Sequence, residues 1–211
     1  MATGEKREDL LALPVREFIS RTAAKTPTPG GGSVAGLVGA LAVALAEMSL
    51  NFTKGKKKFA AHEDFYAALA EQLTGLRARF EQLIADDIAA YEQYQHAAAM
   101  PEGDPGRAAA QAQALAAAIE VPRRAATAAL QLLEVLRAFA DKCNPYLISD
   151  LVAGASLAVA TLRMSDYNVR INVRQLPDAS AADHFRTASA HEVQHGAALR
   201  DEIERLARVV L

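Results

Sequence analysis

From Ser33 to Asn51 the chain reads SVAGLVGALAVALAEMSLN, with Val34, Leu37, Val38, Leu41, Leu45 and Met48 at three- and four-residue steps and alanine or glycine in most places between. That period is helical. A helix apolar nearly all round has no face suited to water, so it belongs in a large core or one shared with another chain. Leu147 to Leu162 has the same character. Both stretches approach membrane-spanning length, but Glu47 and Asp150 interrupt them and small residues outnumber Leu and Ile. Both are read as buried helices, and no membrane partner is expected.

Elsewhere the punctuation divides the chain into about six helices. The first runs from Leu13 to Ala24 and the second from Ser33 to about Asn51. A TKGKKK loop leads to a long third helix from about His62 to Ala98. After MPEGDPG, Arg107 to Glu120 and Pro122 to Lys142 form a pair kinked or split near Val121-Pro122. Asn144-Pro145 is a start signal, Asn able to cap and Pro suited to the first turn, for a fifth helix toward Leu176. Pro177-Asp178-Ala179-Ser180 precedes a sixth, Ala182 to about Val210. No segment alternates as a strand would and no internal repeat is seen. With 211 residues, 6% aromatics and no tryptophan, the expectation is an all-α single-domain bundle spanning residues 1–211.

A net charge of −2 does not point to nucleic acid. The opening MATGEKRED lacks the apolar core of a signal peptide, and the single cysteine, Cys143, excludes an internal disulfide. A cytoplasmic protein is expected.

Four features carry chemistry. Thr26 to Ser33, TPTPGGGS, places three glycines before the second helix, where unpaired N–H groups point at whatever lies beyond the helix end. With Ser33 as N-cap, that backbone is open to a ligand; the alternative is tight helix packing through Gly32 and Gly36. A nucleotide-binding loop is excluded, since Val34-Ala35 stands where Lys and Ser or Thr would be needed, and a helix, not a strand, precedes the run. On the third helix the stripe Leu69, Leu73, Leu76, Phe80, Leu83 continues to Asp87, Tyr91 and Tyr94, while Asp86 points elsewhere. A carboxylate on an apolar stripe is costly unless it faces a cleft or is bonded to a neighbouring helix end. On the fifth helix Asp150, Gly154, Leu157, Thr161, Ser165, Asn168 and Asn172 form a small, polar stripe that suits a cavity or helix interface. Lys54, Lys56, Lys57 and Lys58 make a basic loop, a solvated turn unless a ligand's phosphates or carboxylates lie beside it.

His191-Glu192-Val193-Gln194-His195 has the spacing of a zinc hydrolase helix. No strand-built cleft is expected to hold it, no further ligand pattern follows, and His195 falls near the apolar stripe Phe185, Ala188, Leu199, Ile203, Leu206. No metal site is expected.

Taken in order, PTPGGGS with its Ala/Gly-rich helix, NFTKGKKKF, ADDIAAY, NPYLISD and YNVRIN resemble the cyclodeaminase/cyclohydrolase family. That family comprises the C-terminal domain of formiminotransferase-cyclodeaminase and stand-alone methenyltetrahydrofolate cyclohydrolases. The resemblance covers most of Leu13 to Leu176, and the length fits a stand-alone member. It implies an all-helical homodimer binding tetrahydrofolate in a cleft near the subunit interface. On the matched positions, Pro29, Gly30, Gly31, Gly32, Ser33, Lys54, Lys56, Lys57, Asn144, Ser149, Asn168 and Asn172 become substrate-binding candidates. Asp87, and after it Asp150, become catalytic candidates.

Two reactions come with the resemblance. In one, N10 of 5-formiminotetrahydrofolate attacks the formimino carbon and ammonia leaves, forming the cationic 5,10-methenyl compound. In the other, water opens that compound to 10-formyltetrahydrofolate. Each needs a carboxylate near a delocalised cation and a group that moves protons. Neither requires a tightly bound cofactor. The folate, with its mono- or polyglutamate tail, is the expected partner, with the lysine loop meeting tail carboxylates. A non-catalytic folate- or anion-binding helical dimer is the alternative.

Overall fold

The computed structural model describes residues 9–208. Among these the chain forms six α-helices and no strand: α1 (Val15–Ala23), α2 (Gly31–Asn51), α3 (Glu63–Ala99), α4 (Arg107–Ala140), α5 (Ile148–Val173) and α6 (Ala179–Ala207). Short 3-10 turns occupy Leu10–Ala12, Lys57–His62 and Pro145–Leu147. The opening residues 1–8 and the end of the expected sixth helix, 209–211, lie outside the described residues.

α2 runs antiparallel to both α3 and α5, and its small residues explain why. Glycines 32, 36 and 39 form one stripe; a Cβ at each would strike Asp87, Ile84 and Phe80 of α3 respectively, so the missing side chains let the two backbones close up. On the α5 side, a Cβ at Gly154 would lie 3.0 Å from the Ala42 carbonyl. Ala42, Val43, Ala46 and, on α5, Ala155 and Ala158 are buried in the resulting core with Leu132, Leu133 and Leu136 of α4. The apolar character of α2 and α5 is therefore satisfied largely within one chain. The small residues of α5 that suit an intersubunit contact, Gly154, Ala155 and Ala158, lie inward against this core instead.

Two local readings are revised. Of the expected kink or split near Val121-Pro122, the split is absent: α4 continues through Pro122. Pro122 has no N–H for the Ala118 carbonyl one turn back, and Asn172 Nδ2 of α5 donates to that carbonyl at 2.7 Å instead. The helix therefore survives because a neighbour supplies the lost hydrogen bond. Second, the residue at the N-cap of α2 is Gly30, with extended backbone (φ −116°, ψ −161°), and Ser33 lies inside the first turn. Asn144 does cap as expected, accepting from the Tyr146 N–H at 3.3 Å, although the turn it opens is a 3-10 turn ahead of α5.

Candidate active site

The first turn of α2 needs partners for its N–H groups. Ser33 provides the link: its hydroxyl donates to Asp87 Oδ2 at 2.8 Å, and its backbone N–H also donates to the Asp87 carboxyl. Asp87 thus caps α2 from across the helix pair, where the positive end of the helix favours an anion. This is the helix-end bond weighed above as the structural role of Asp87. The same carboxyl also lines a cleft, so the two roles coincide. Burial pushes its pKa up from the ordinary carboxylate value, and the two bonds from Ser33 oppose that rise.

The cleft holds about 270 Å³ and is lined by Asp87, Ala90, Tyr91 and Tyr94 of α3, Ala118, Val121 and Pro122 of α4, and Asn168, Asn172 and Gln175 at the end of α5. Gly31 borders it, since a Cβ there would lie 3.8 Å from Asn168 Nδ2. Both asparagines have that nitrogen engaged: Asn168 donates to the Met164 carbonyl at 3.0 Å and Asn172 to Ala118. Each keeps its amide oxygen as an acceptor. The lining therefore presents one carboxylate, amide oxygens and tyrosine hydroxyls, and contains no lysine or arginine. A half-buried acid with no cation beside it suits a cationic ligand. A further hollow of about 500 Å³, sharing Tyr94 and Gln175 with the cleft, continues between α3 and α4 past Gln111 and Leu115.

Of the residues expected at a site, Gly31, Gly32, Ser33, Asp87, Asn168 and Asn172 come together here, with Pro29 and Gly30 forming the approach to α2. Lys54, Lys56, Lys57, Asn144, Ser149 and Asp150 do not. They lie at the other end of α2, whose 20 steps at about 1.5 Å put them roughly 30 Å away. Asn144 is buried there, donating from Nδ2 to the Phe52 carbonyl at 2.9 Å and from its backbone N–H to the Thr53 hydroxyl oxygen at 3.0 Å. Cys143 beside it is buried, which pushes its thiol up to about 11 and makes it a poor nucleophile. The expectation that the lysine loop neighbours the glycine loop fails within one chain, because antiparallel packing carries the two ends of α2 apart.

Asp86 faces away, bonded to Arg124 at 2.8 Å and Gln82 at 2.9 Å. His191 and His195 are exposed, His195 lying 3.8 Å from Glu134. No three metal-ligating side chains gather among the described residues. Sequence reasoning missed Tyr91, Tyr94, Pro122 and Gln175 as lining residues; the tyrosines were on the Asp87 stripe, whereas Pro122 signalled only a kink.

A family model described as formiminotransferase-cyclodeaminase matches residues 14–191. The chain belongs to this family. It is 32% identical over 173 residues to methenyltetrahydrofolate cyclohydrolase of Methylorubrum extorquens, covering 80% of this chain and 83% of that protein. It is 29% identical over 208 residues to formimidoyltransferase-cyclodeaminase of Mus musculus, covering 97% of this chain but spanning only 37% of the mouse protein's length. Among solved structures, formiminotetrahydrofolate cyclodeaminase of Thermotoga maritima superposes with a TM-score of 0.79 at 30% identity, covering 96% of this chain and 97% of that one. The six-helix architecture is thus that of the formiminotransferase-cyclodeaminase family across nearly the whole chain.

Proposed function

We propose that the protein is a tetrahydrofolate one-carbon enzyme acting at the carbon held between N5 and N10, as a methenyltetrahydrofolate cyclohydrolase or a formiminotetrahydrofolate cyclodeaminase. The relatives named for these two activities support the substrate class. The observation that carries the chemistry is the Asp87 carboxylate, the one charged side chain lining a cleft that otherwise offers neutral acceptors and apolar walls. Such a site stabilises the delocalised N5–C–N10 cation common to both reactions. Burial also keeps Asp87 closer to neutrality than an ordinary acid, which suits a group that takes a proton from attacking water or gives one to departing ammonia. Neither route calls on a tightly bound cofactor.

The protein acts as a homodimer in this reading. Leu41 on α2, Phe52 just after it, and Tyr146, Tyr167 and Ile171 at the two ends of α5 are large apolar residues left exposed. A second copy is the occupant we assign to these surfaces, because both helices are apolar nearly throughout and the two ends of α2 carry complementary halves of the expected site. A two-fold pairing with α2 antiparallel to its copy sets a lysine loop beside each Asp87 cleft, where it meets the glutamate tail.

The test is to mix the protein separately with 5,10-methenyl- and 5-formimino-tetrahydrofolate and follow the methenyl absorbance. Loss above the spontaneous rate identifies the cyclohydrolase and appearance the cyclodeaminase. No change with either refutes catalysis and leaves a folate-binding dimer in which Asp87 only caps α2.

A further inference from the structure

Apart from Ser165, the buried helical serines and threonines among the described residues have partners: Ser33 and Ser189 donate to the Asp87 and Asp166 carboxylates at 2.8 Å. Ser49, Ser156 and Thr161 each turn the hydroxyl back to the carbonyl four residues earlier, at 2.9, 3.0 and 3.0 Å. Ser165, one turn further along α5, does not. It is completely buried, and its Oγ has no hydrogen-bond partner within the protein. A buried hydroxyl without a partner is costly and rare, so what it faces matters.

Ser165 lines a small, partly open cavity with Gly32, Ala35, Leu83, Asp87, Val121, Pro122, Ala125 and Asn168. Its volume is about 10 Å³, the room of one water-sized molecule and far too little for any part of a pterin ring. Asp87, Val121, Pro122 and Asn168 also line the open cleft, so the two spaces adjoin at these residues. The remaining walls are apolar apart from Gly32 and Ser165. A molecule in this cavity thus has three polar side chains as neighbours: the orphan hydroxyl, the Asn168 amide and the carboxyl to which the reaction is assigned.

Resting on the folate reading above, we propose that Ser165 and Asp87 together hold the small molecule exchanged at the one-carbon unit, water entering or ammonia leaving. In hydrolysis the water oxygen bonds to the carbon between N5 and N10 while one of its protons passes to the Asp87 carboxylate. The C–N5 bond then breaks, N5 keeps the electron pair and takes the proton back from Asp87, and the remaining hydroxyl proton leaves to solvent as the formyl group forms on N10. In ring closure N10 bonds to the carbon of the formimino group, which starts protonated as the amidinium, and the N10 proton passes through Asp87 to the former imino nitrogen, which then carries three hydrogens. The bond to that nitrogen breaks with the pair leaving on it, and ammonia occupies the cavity. In both directions Ser165 contacts the molecule that carries the exchanged atom and orients its lone pair.

Ser165→Ala removes only the hydroxyl and breaks no hydrogen bond within the protein. It is expected to lower kcat by about 10- to 100-fold on whichever substrate the wild type turns over. Binding of tetrahydrofolate, which lacks the one-carbon unit, should stay within twofold by calorimetry, and Tm should be unchanged or higher. A crystal structure should show ordered solvent within hydrogen-bond reach of both Ser165 Oγ and Asp87 in the wild type, lost in the variant. Unchanged kcat in a well-folded Ser165→Ala overturns the proposal, as does a lowered Tm or a wild-type cavity without that solvent. A wild type inactive on both folates refutes the folate reading instead, and the solvent and Tm readouts then decide the Ser165 site separately.

Discussion

Replacing Asp87 by Asn keeps the size and an acceptor for Ser33 while removing the charge. A unit charge about 4 Å from the carboxylate at an effective dielectric of about 20 interacts by about 4 kcal/mol. Solvent on the open side of the cleft and the residual dipole of Asn reduce this, so a loss of about 2.7 kcal/mol, or about 100-fold in kcat/KM, is expected. Stability should move the other way. The folded-state pKa of Asp87 is raised by burial, so the native protein holds this proton more tightly than the unfolded chain. That contribution is fully present below the unfolded pKa and is lost as pH rises through the folded value, leaving an ionised buried group at neutral pH. Asp87→Asn should therefore be no less stable than wild type at pH 7, and its stability should vary less with pH above the ordinary carboxylate range. The wild-type hydrolytic rate should fall as pH drops through the raised pKa of Asp87. Steady-state methenyl absorbance and urea unfolding at several pH values measure both. Asp86→Asn is the control, since Asp86 lies about 100° round the helix and bonds Arg124. A folded Asp87→Asn protein with near-normal turnover, or one losing no more than Asp86→Asn, would refute the assignment.

Three further outcomes are expected. Gly32→Ala places a methyl on the Asp87 carboxyl and should cost about 1–3 kcal/mol together with most activity, whereas Gly75→Ala, with nothing within 4 Å, should stabilise α3 by about 0.5–1 kcal/mol; thermal melts compare them. Asn172→Ala leaves the Ala118 carbonyl without its donor beside Pro122, and urea unfolding should show a loss of about 1–3 kcal/mol. Light scattering should give the mass of two chains, and Leu41→Glu, which puts a charge on an exposed apolar surface of α2, should give one; a wild-type monomer at micromolar concentration would refute the dimer.

Much of this protein is legible along the chain because helical period, caps and breakers act within a few residues. The apolar run from Val34 to Met48, the start signal at Asn144-Pro145 and the misplaced carboxylate at Asp87 are all local signals, and each marks an observed element or cleft residue. What the chain order cannot convey is which signals meet. Asp87 reaches Gly32 and Ser33 only because glycines 32, 36 and 39 let α3 run back along α2, and Asn168 arrives only because α5 does the same on the other side. Those same antiparallel contacts send Lys54, Lys56, Lys57, Asn144, Ser149 and Asp150 to the far end. Pro122 reads as a kink or a split because its missing N–H is local, while the Asn172 amide that serves α4 there comes from another helix. Ser165 sits on a polar stripe that sequence alone displays, but a hydroxyl's lack of a partner is a property of three-dimensional packing. Periodicity determined the helices, and close approach between them decided the site.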